Sequence, residues 1–221
     1  EFNPEDVKQT CESYVKKKGA LAFGLANIET LDRIAPEGCR PADMLPKVRS
    51  VLTVGVGGGT RGSWSADAKT LAYIGDTETM AYRIAYGLAF YIEAKFGYRS
   101  IFVPPDMNPE KGARVPMQSL KLHAEVAGIG ARSMAGDILL HPEYGMMYYA
   151  SVFTEMELPP DEPMADNPCP HPSCVKLYRQ SGQTPCMRFC PVECLSGSIG
   201  NDDKVEEMNY DSHACAEMSQ Q

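Results

Sequence analysis

Five of the chain's eight cysteines fall within 26 residues, in the stretch CPHPSCVKLYRQSGQTPCMRFCPVEC at positions 169–194. Clustered cysteines commit such a segment to a metal, an iron–sulfur cluster or a set of disulfides. Cys169 and Cys174 are separated by four residues, whereas Cys186 and Cys190 are separated by three and followed directly by a proline. This second spacing matches the last part of the bacterial ferredoxin pattern, in which Cys-x3-Cys-Pro closes the run.

The charge and polarity of the chain restrict its partners and its compartment. A formal net charge of −8 over 221 residues argues against a broad nucleic-acid surface, because phosphate binding needs clustered Lys and Arg. No apolar run approaches the roughly 18–20 residues of a membrane span, and the acidic N-terminus EFNPEDVKQT does not resemble a signal peptide. We therefore expect a cytoplasmic protein whose thiols stay reduced, which favours metal binding over disulfides.

The cysteine segment is predicted to hold one [4Fe–4S] cluster, with a four-cysteine zinc site as the main alternative. Thiolates are soft, anionic donors that suit both centres, and the prolines and Gly182 supply the chain reversals that bring ligands together. The first two gaps are x4 and x11, unlike the x2 gaps of a bacterial ferredoxin. The favoured ligands are Cys169, Cys174, Cys186 and Cys190, with Cys194 and Cys215 as substitutes.

The distribution of cysteines also divides the chain. Residues 1–158 read as an α/β body, and residues 159–221 read as a Cys-rich iron–sulfur segment, joined by the Pro- and Asp-rich stretch LPPDEPMADNP. Strands alternating with helices predict an α/β layered domain for the body.

Three stretches carry the clearest secondary-structure signals within the body. SVLTVGV at 50–56 and MMYYASVFTEMEL at 146–158 are apolar, β-branched or aromatic runs typical of strands. A helix is predicted over 76–97, capped by Asp76 or Thr77, because apolar residues recur there at intervals of four. Those apolar residues are Met80, Ile84, Leu88 and Ile92.

A glycine-rich stretch, AEVAGIGARSMAGDILLHPEYG at 124–145, is the candidate cofactor-binding surface of the body. Gly128, Gly130 and Gly145 would let the backbone approach a flat ligand closely. His141, which precedes a proline, is either a cofactor contact or a turn residue. Tyr144 is either a packing residue or a proton donor at a cofactor face.

Taken in order, these motifs resemble those of the epoxyqueuosine reductase and reductive dehalogenase superfamily. RPADMLPKVRSVLTVGV at 40–56 resembles its early motif, and the glycine-rich stretch at 124–145 is similar to its Ala-Gly-Leu-Gly region. SVFTEMELPPDEP at 151–163 looks like the strand that precedes the family's cluster segment, and YDSHAC at 210–215 looks like its later cysteine.

The resemblance implies a nitroreductase-like α/β fold followed by a small ferredoxin-like segment. It further implies a corrinoid such as cobalamin bound by the body, with a flavin as the alternative, and a cluster that passes electrons to it. Carried over by position, the loop containing Gly128, Gly130, His141, Tyr144 and Gly145 would line that cofactor.

The resemblance leaves the reaction and the partners open. The chain reads GARVPMQSL at 112–120, without the acidic residue that serves epoxyqueuosine reductases as proton donor, and its six clustered cysteines are too few for two four-cysteine clusters. Three functions therefore stay open: a reductase, a non-enzymatic corrinoid-handling or electron-transfer accessory, and a zinc-stabilised binding module. The expected partner is a redox protein or a small-molecule substrate, and the sequence does not predict an oligomeric state.

Overall fold

The computed structural model describes residues 2–57, 69–103, 117–136 and 138–219. Within them the helices are α1 (Pro4–Lys17), α2 (Ile28–Ile34), α3 (Pro41–Met44), α4 (Lys69–Phe96), α5 (Leu120–Val126), α6 (Pro172–Ser181), α7 (Pro185–Arg188) and α8 (Ser212–Ser219). The strands are β1 (Ala22–Ala26), β2 (Ser50–Gly57), β3 (Ser100–Val103), β4 (Ala131–Arg132), β5 (Leu139–His141), β6 (Gly145–Thr154), β7 (Leu195–Ile199) and β8 (Val205–Tyr210). The protein is thus a mixed α/β structure that ends in a Cys-rich segment.

One antiparallel sheet of six strands organises the first part of the chain. Its order is β1-β2-β6-β5-β4, and β3 pairs with the second half of β6. Strand β6 is central, because β2 pairs along one of its edges while β5 and β3 share the other. Its last six residues are buried, which is the environment expected for a strand rich in aromatic and β-branched side chains.

Helices α1 and α4 cover one face of this sheet. On α1, Val7, Cys11 and Val15 recur at intervals of four and are buried, as expected for one face of an amphipathic helix. Burial raises the pKa of the Cys11 thiol to about 12, so this cysteine is an inert core residue.

Helix α4 differs from its prediction in two respects. It begins at Lys69, so Asp76 and Thr77 lie inside the helix and do not cap it. Met80 is 41% exposed, although the three apolar residues that follow it at intervals of four are buried as predicted. Those three are Ile84, Leu88 and Ile92.

Helices α2 and α5 cover the other face. Leu31 of α2 and Val126 of α5 pack with Phe153 of β6 in a second cluster of buried apolar side chains. Helix α5 is capped by Ser119, whose hydroxyl accepts from the backbone N–H of Leu122. The same helix buries His123, which lies 2% exposed beneath the sheet.

The Cys-rich part is fastened to the body at several points. Asp161 donates its backbone N–H to the carbonyl of Leu25 at 2.8 Å and accepts from the Leu25 N–H through its carboxylate at 2.9 Å. The same carboxylate pairs with Lys8 at 2.6 Å. Through these contacts Asp161 pairs with Leu25 of β1, so the connecting stretch runs beside this strand. Whether the chain divides into two domains near residue 158 stays a prediction.

Within the part of the chain that the structure describes, no helix is both long enough and apolar enough to cross a membrane.

Candidate functional site

A cavity of about 690 Å³ lies between the body and the Cys-rich segment. Residues of the sheet and its turns form one wall, including Leu21, Gly57, Ala135, Leu140, Tyr144 and Met146. The Cys-rich segment forms the facing wall with Pro168, Cys169, His171, Cys174, Pro185 and Cys186. Its volume lies within the range of about 300–1,000 Å³ that is typical of cofactor and ligand pockets.

Three of the predicted cluster ligands share this cavity wall. Cys169 follows a short connection fixed by Asn167, which donates to the carbonyl of Arg132 at 2.7 Å and accepts from the Cys169 N–H at 2.9 Å. Cys174 lies in the first turn of α6, and Cys186 lies in the first turn of α7. A proline opens each of these helices, which is a position where the missing N–H carries no cost.

The three thiols also influence one another. Burial raises the pKa of Cys169, the N–H of Met134 opposes this rise by donating to its sulfur at 3.4 Å, and the nearby Cys186 and Cys174 raise the pKa further. The raised pKa of Cys169 favours its neutral thiol when no cation is nearby. A metal centre would stabilise all three thiolates together.

The other three clustered cysteines form a second group. The sulfur atoms of Cys190 and Cys194 lie 3.3 Å apart, and the nearby Cys215 contributes to raising the pKa of Cys194. The hydrogen bond from Cys194 lowers the pKa of Cys190, while burial and this neighbour raise the pKa of Cys194 to about 11. The backbone N–H of Asp211 donates to the carbonyl of Cys194 at 2.9 Å, which draws the start of α8 toward this loop.

Three of the four favoured ligands line the cavity, whereas Cys190 is not among the lining residues and its sulfur contacts that of Cys194. Among the described residues, no group of three or more His, Cys, Asp or Glu side chains is arranged to hold a single metal ion. The assignment of individual cysteines to a centre stays a prediction.

The predicted glycines of the body have local structural roles. Gly128 adopts the left-handed conformation (φ +68°), and a Cβ at this position would overlap the carbonyl oxygen of Glu162. Gly130 leaves room for the hydroxyl of Tyr149, which would lie 2.6 Å from a Cβ. Gly145 is the first residue of β6, with φ +66° and no heavy atom of the described residues within 4 Å of a Cβ at this position. None of the three is among the residues that line the large cavity in the described structure.

His141 and Tyr144 lie together in the hairpin between β5 and β6. The Nδ1 atom of His141 accepts from the N–H groups of Glu143 and Tyr144 at 3.1 and 3.3 Å, so the imidazole closes the turn. The His141 ring stacks on Tyr144 with the ring centroids 4.7 Å apart. Burial lowers the pKa of His141, although the negative charge of Glu143 partly opposes this effect. The lowered pKa keeps the imidazole neutral at physiological pH.

Of the five predicted cofactor contacts, Tyr144 is the one that lines the cavity. Burial and Glu143 raise its pKa, so its hydroxyl keeps its proton at neutral pH. The turn that follows β4 lies within the predicted glycine-rich stretch, and its Ser133 and Ala135, which were not named individually, line the cavity. Small residues in a turn give no periodic or chemical signal by which they could have been chosen one by one. Whether the remaining four residues contact a cofactor stays a prediction.

Comparison with solved structures places this arrangement of a sheet, its flanking helices and a Cys-rich segment among known folds. An epoxyqueuosine reductase in selenomethionine-labelled form matches with a TM-score of 0.55 and 20% identity, over 79% of this chain and 52% of that one. The epoxyqueuosine reductase from Bacillus subtilis matches with a TM-score of 0.55 and 18% identity, over 90% of this chain and 60% of that one. The catabolic reductive dehalogenase NpRdhA matches with a TM-score of 0.68 and 16% identity, over 97% of this chain and 29% of that one.

This chain has the fold of the epoxyqueuosine reductases and reductive dehalogenases. The likeness runs over most of its length, as the sequence motifs predicted, and at this identity it shows the fold alone. The chain spans less than two thirds of the length of each of these proteins. No protein-family model matches the sequence, and no curated protein matches it.

Proposed function

We propose that this protein is an iron–sulfur oxidoreductase-like protein in which one [4Fe–4S] cluster relays electrons to a corrinoid, or to a flavin, bound by the α/β body. Its layers would be those of a nitroreductase-like domain followed by a ferredoxin-like segment. The observation that carries the proposal is the large cavity, where three cysteines face a sheet edge that carries Tyr144. A cluster and an organic cofactor in contact across that cavity would need no long-range electron transfer.

The thiol chemistry of the donor set supports a cluster. Cys169, Cys174 and Cys186 offer three thiols on one wall, and Cys190 follows the last of them after three residues. A rotation of the Cys190 side chain away from Cys194 would supply the fourth thiolate. Alternatively, Cys190 and its neighbours form a second centre, as in two-cluster ferredoxins, where the cysteine before the proline ligates the other cluster.

The lining of the cavity also supports the binding of an organic cofactor. Aliphatic, methionine and proline side chains make up half of the lining residues, and polar groups such as Ser133 and Tyr144 lie among them, which is the usual composition of a cofactor pocket. A similar solved structure of a reductive dehalogenase is described as suggesting a mechanism for B12-dependent dehalogenation, and this favours a corrinoid over a flavin. When bound, such a cofactor would supply low-potential reducing chemistry.

The protein's own contribution would be positioning and proton supply. Tyr144 has a protonated hydroxyl at the cavity wall, and the stacked His141 ring restricts its orientation. A group that keeps its proton at neutral pH can donate it to a substrate that gains electrons. We therefore propose the Tyr144 hydroxyl as a proton donor in the reduction of a small molecule.

An accessory protein without catalytic activity is the second candidate. The stretch at 112–120 contains no Asp or Glu, so the acid expected of an epoxyqueuosine reductase is missing there. In that case the protein would hold a corrinoid or pass electrons to a partner. Cofactor binding without turnover of any small-molecule substrate would support this candidate.

The first test is anaerobic purification followed by iron and acid-labile sulfide analysis, with a visible spectrum before and after dithionite. About four irons and four sulfides per chain, with absorption that dithionite bleaches, would support one cluster. Zinc without sulfide would instead support a structural metal site. Cys186→Ser should lower the iron content, whereas Cys39→Ser, outside the Cys-rich segment, should leave it unchanged.

A second test addresses the cofactor. Hydroxocobalamin and FMN are titrated separately into the anaerobic protein, and binding is followed by absorbance. The substitution Ala135→Leu adds three carbon atoms to the large cavity wall and should weaken binding, while Ala35→Leu, which lies elsewhere on the body, should not. Equal affinity for both variants would place the cofactor outside this cavity and refute that part of the proposal.

A further inference from the structure

A second cavity, of about 230 Å³, shares no described lining residue with the large cavity. It lies among α2, the loop that leads into α3, and α5. Ile34, which is exposed, and Cys39, which is half-buried, line it and mark its opening. The proposed function above leaves this cavity unused.

A buried histidine faces this space. His123 is 2% exposed, and its Nδ1 lies 3.0 Å from the hydroxyl of Ser151 on the central strand β6. Ser151 in turn lies 3.2 Å from the hydroxyl of Thr53, so the sheet side of the imidazole is fully engaged. His123 lines the cavity, and no hydrogen bond to its Nε2 is formed by the described residues.

The protonation state of the His123 imidazole follows from its burial. Burial lowers the pKa of His123 to about 3, so the ring is neutral at physiological pH. A neutral imidazole donates a hydrogen bond through one nitrogen and accepts one through the other. Since the hydroxyl of Ser151 can act as donor or acceptor, Nε2 can take either role toward a ligand.

The rest of the cavity selects against charge. Leu31, Ala35 and Leu122 contribute apolar surface. The single cation that lines the cavity in the described structure, Arg132, is already paired with Glu125, with nitrogen–oxygen distances of 3.0 and 3.3 Å. An anion would have to compete with this carboxylate, and a cation would meet a guanidinium. A neutral ligand is therefore favoured.

We propose that this cavity binds small neutral alcohols, whose hydroxyl hydrogen-bonds to Nε2 of His123 while their apolar body fills the space below Ile34. An apolar cavity of about 150 Å³ holds one benzene molecule, so about 230 Å³ accommodates a six-membered ring with one substituent. The hydroxyl would give Nε2 of His123 a hydrogen-bond partner. This site is independent of the cluster and of the cofactor in the large cavity.

Cyclohexanol is the probe, and its binding to the anaerobically purified protein is measured by NMR titration or calorimetry. Two further probes test the chemistry: cyclohexanecarboxylate has the same ring with a negative charge, and methylcyclohexane replaces the hydroxyl with a methyl group. We expect one cyclohexanol per chain and at least tenfold weaker binding of the carboxylate.

Variants then locate the site. His123→Phe keeps a ring but removes both nitrogens, and it should weaken cyclohexanol binding about fivefold while leaving methylcyclohexane binding unchanged, since one hydrogen bond contributes about 1 kcal/mol. Ala35→Leu fills the cavity and should abolish binding of both ligands. The matched control Ala135→Leu fills the large cavity and should leave binding unchanged.

Protection of Cys39 provides an independent readout. Trypsin does not cleave before proline, so Cys39 lies alone in the peptide 34–47, and its alkylation can be followed by mass spectrometry. Cyclohexanol should slow this alkylation several-fold. The proposal is overturned if no binding is detected, if the carboxylate binds as well as the alcohol, or if Ala135→Leu abolishes binding while Ala35→Leu does not.

Discussion

The tight approach of two backbones at Gly128 allows a sharp test of how the Cys-rich part is held on the body. Replacing Gly128 with Ala imposes two costs. A left-handed conformation costs a residue with a Cβ about 1–2 kcal/mol, and Gly128 has φ +68°. The new methyl group would also lie closer to the Glu162 carbonyl oxygen than the 3.0 Å below which real Cβ atoms are essentially never found. Relief of such overpacking costs about 1–3 kcal/mol.

Gly145 provides the matched control, because it has nearly the same backbone conformation, φ +66°, with no heavy atom within 4 Å of a Cβ. Gly145→Ala should therefore lose about 1–2 kcal/mol, whereas Gly128→Ala should lose about 2–5 kcal/mol. Urea denaturation followed by circular dichroism measures both losses. With a slope of about 1–3 kcal/mol per molar, the two midpoints should differ by about 1 M.

The result that would refute this reasoning is an equal loss of stability in the two variants. It would mean that the backbone at Glu162 can move away from the new methyl group without loss of folding free energy. The connecting stretch would then not be tightly packed against the body. A loss in Gly128→Ala that appears only when a cofactor is bound would instead favour the sequence-based prediction that Gly128 contacts the cofactor.

Three further predictions concern buried polar groups. For His123, the folded pKa of about 3 lies below the ordinary value of 6.5, so the unfolded chain binds a proton that the folded chain does not, and stability falls as the pH drops below 6.5. The loss of stability by pH 5 should be about 2 kcal/mol. This pH-dependent loss should be absent from His123→Phe. Asp161→Asn weakens the ion pair with Lys8 and should cost about 1–3 kcal/mol in urea denaturation, while Glu162→Gln, at the exposed neighbouring side chain, should change stability by less than about 0.5 kcal/mol. The buried hydroxyl of Tyr149 has no hydrogen-bond partner among the described residues, so Tyr149→Phe should be neutral or should raise the melting temperature by a few degrees. A clear loss of stability would mean that the hydroxyl has a partner such as bound water.

The sequence located the strongest elements of the fold because their signals are local. The β-branched run at 50–56 and the aromatic run from residue 146 became β2 and β6, since both are buried by the sheet they form. The start of α4 was placed too late, because Asp76 and Thr77 are typical capping residues. A cap contributes only about 1 kcal/mol, which is less than tertiary packing contributes to a helix.

The candidate site was predicted less completely. Spacing identified the six clustered cysteines, but it could not group them, because grouping depends on the path of the chain in space. Cys215 meets Cys194 only because the β7–β8 hairpin returns the chain to its starting point. Likewise, the second cavity joins Cys39 to His123 across more than eighty residues of sequence, and no local pattern connects these positions.

The central place of β6 has a consequence for the biosynthesis of the protein. Strand β2 pairs with β1 soon after both emerge, but its other edge is completed only by β6, about ninety residues later. At a synthesis rate of about 5–20 residues per second, this apolar edge waits about 5–20 seconds for its partner. An unpaired strand edge is a template for association with other chains, so the nascent chain is most exposed to aggregation, and most dependent on chaperones, before residue 154 leaves the ribosome.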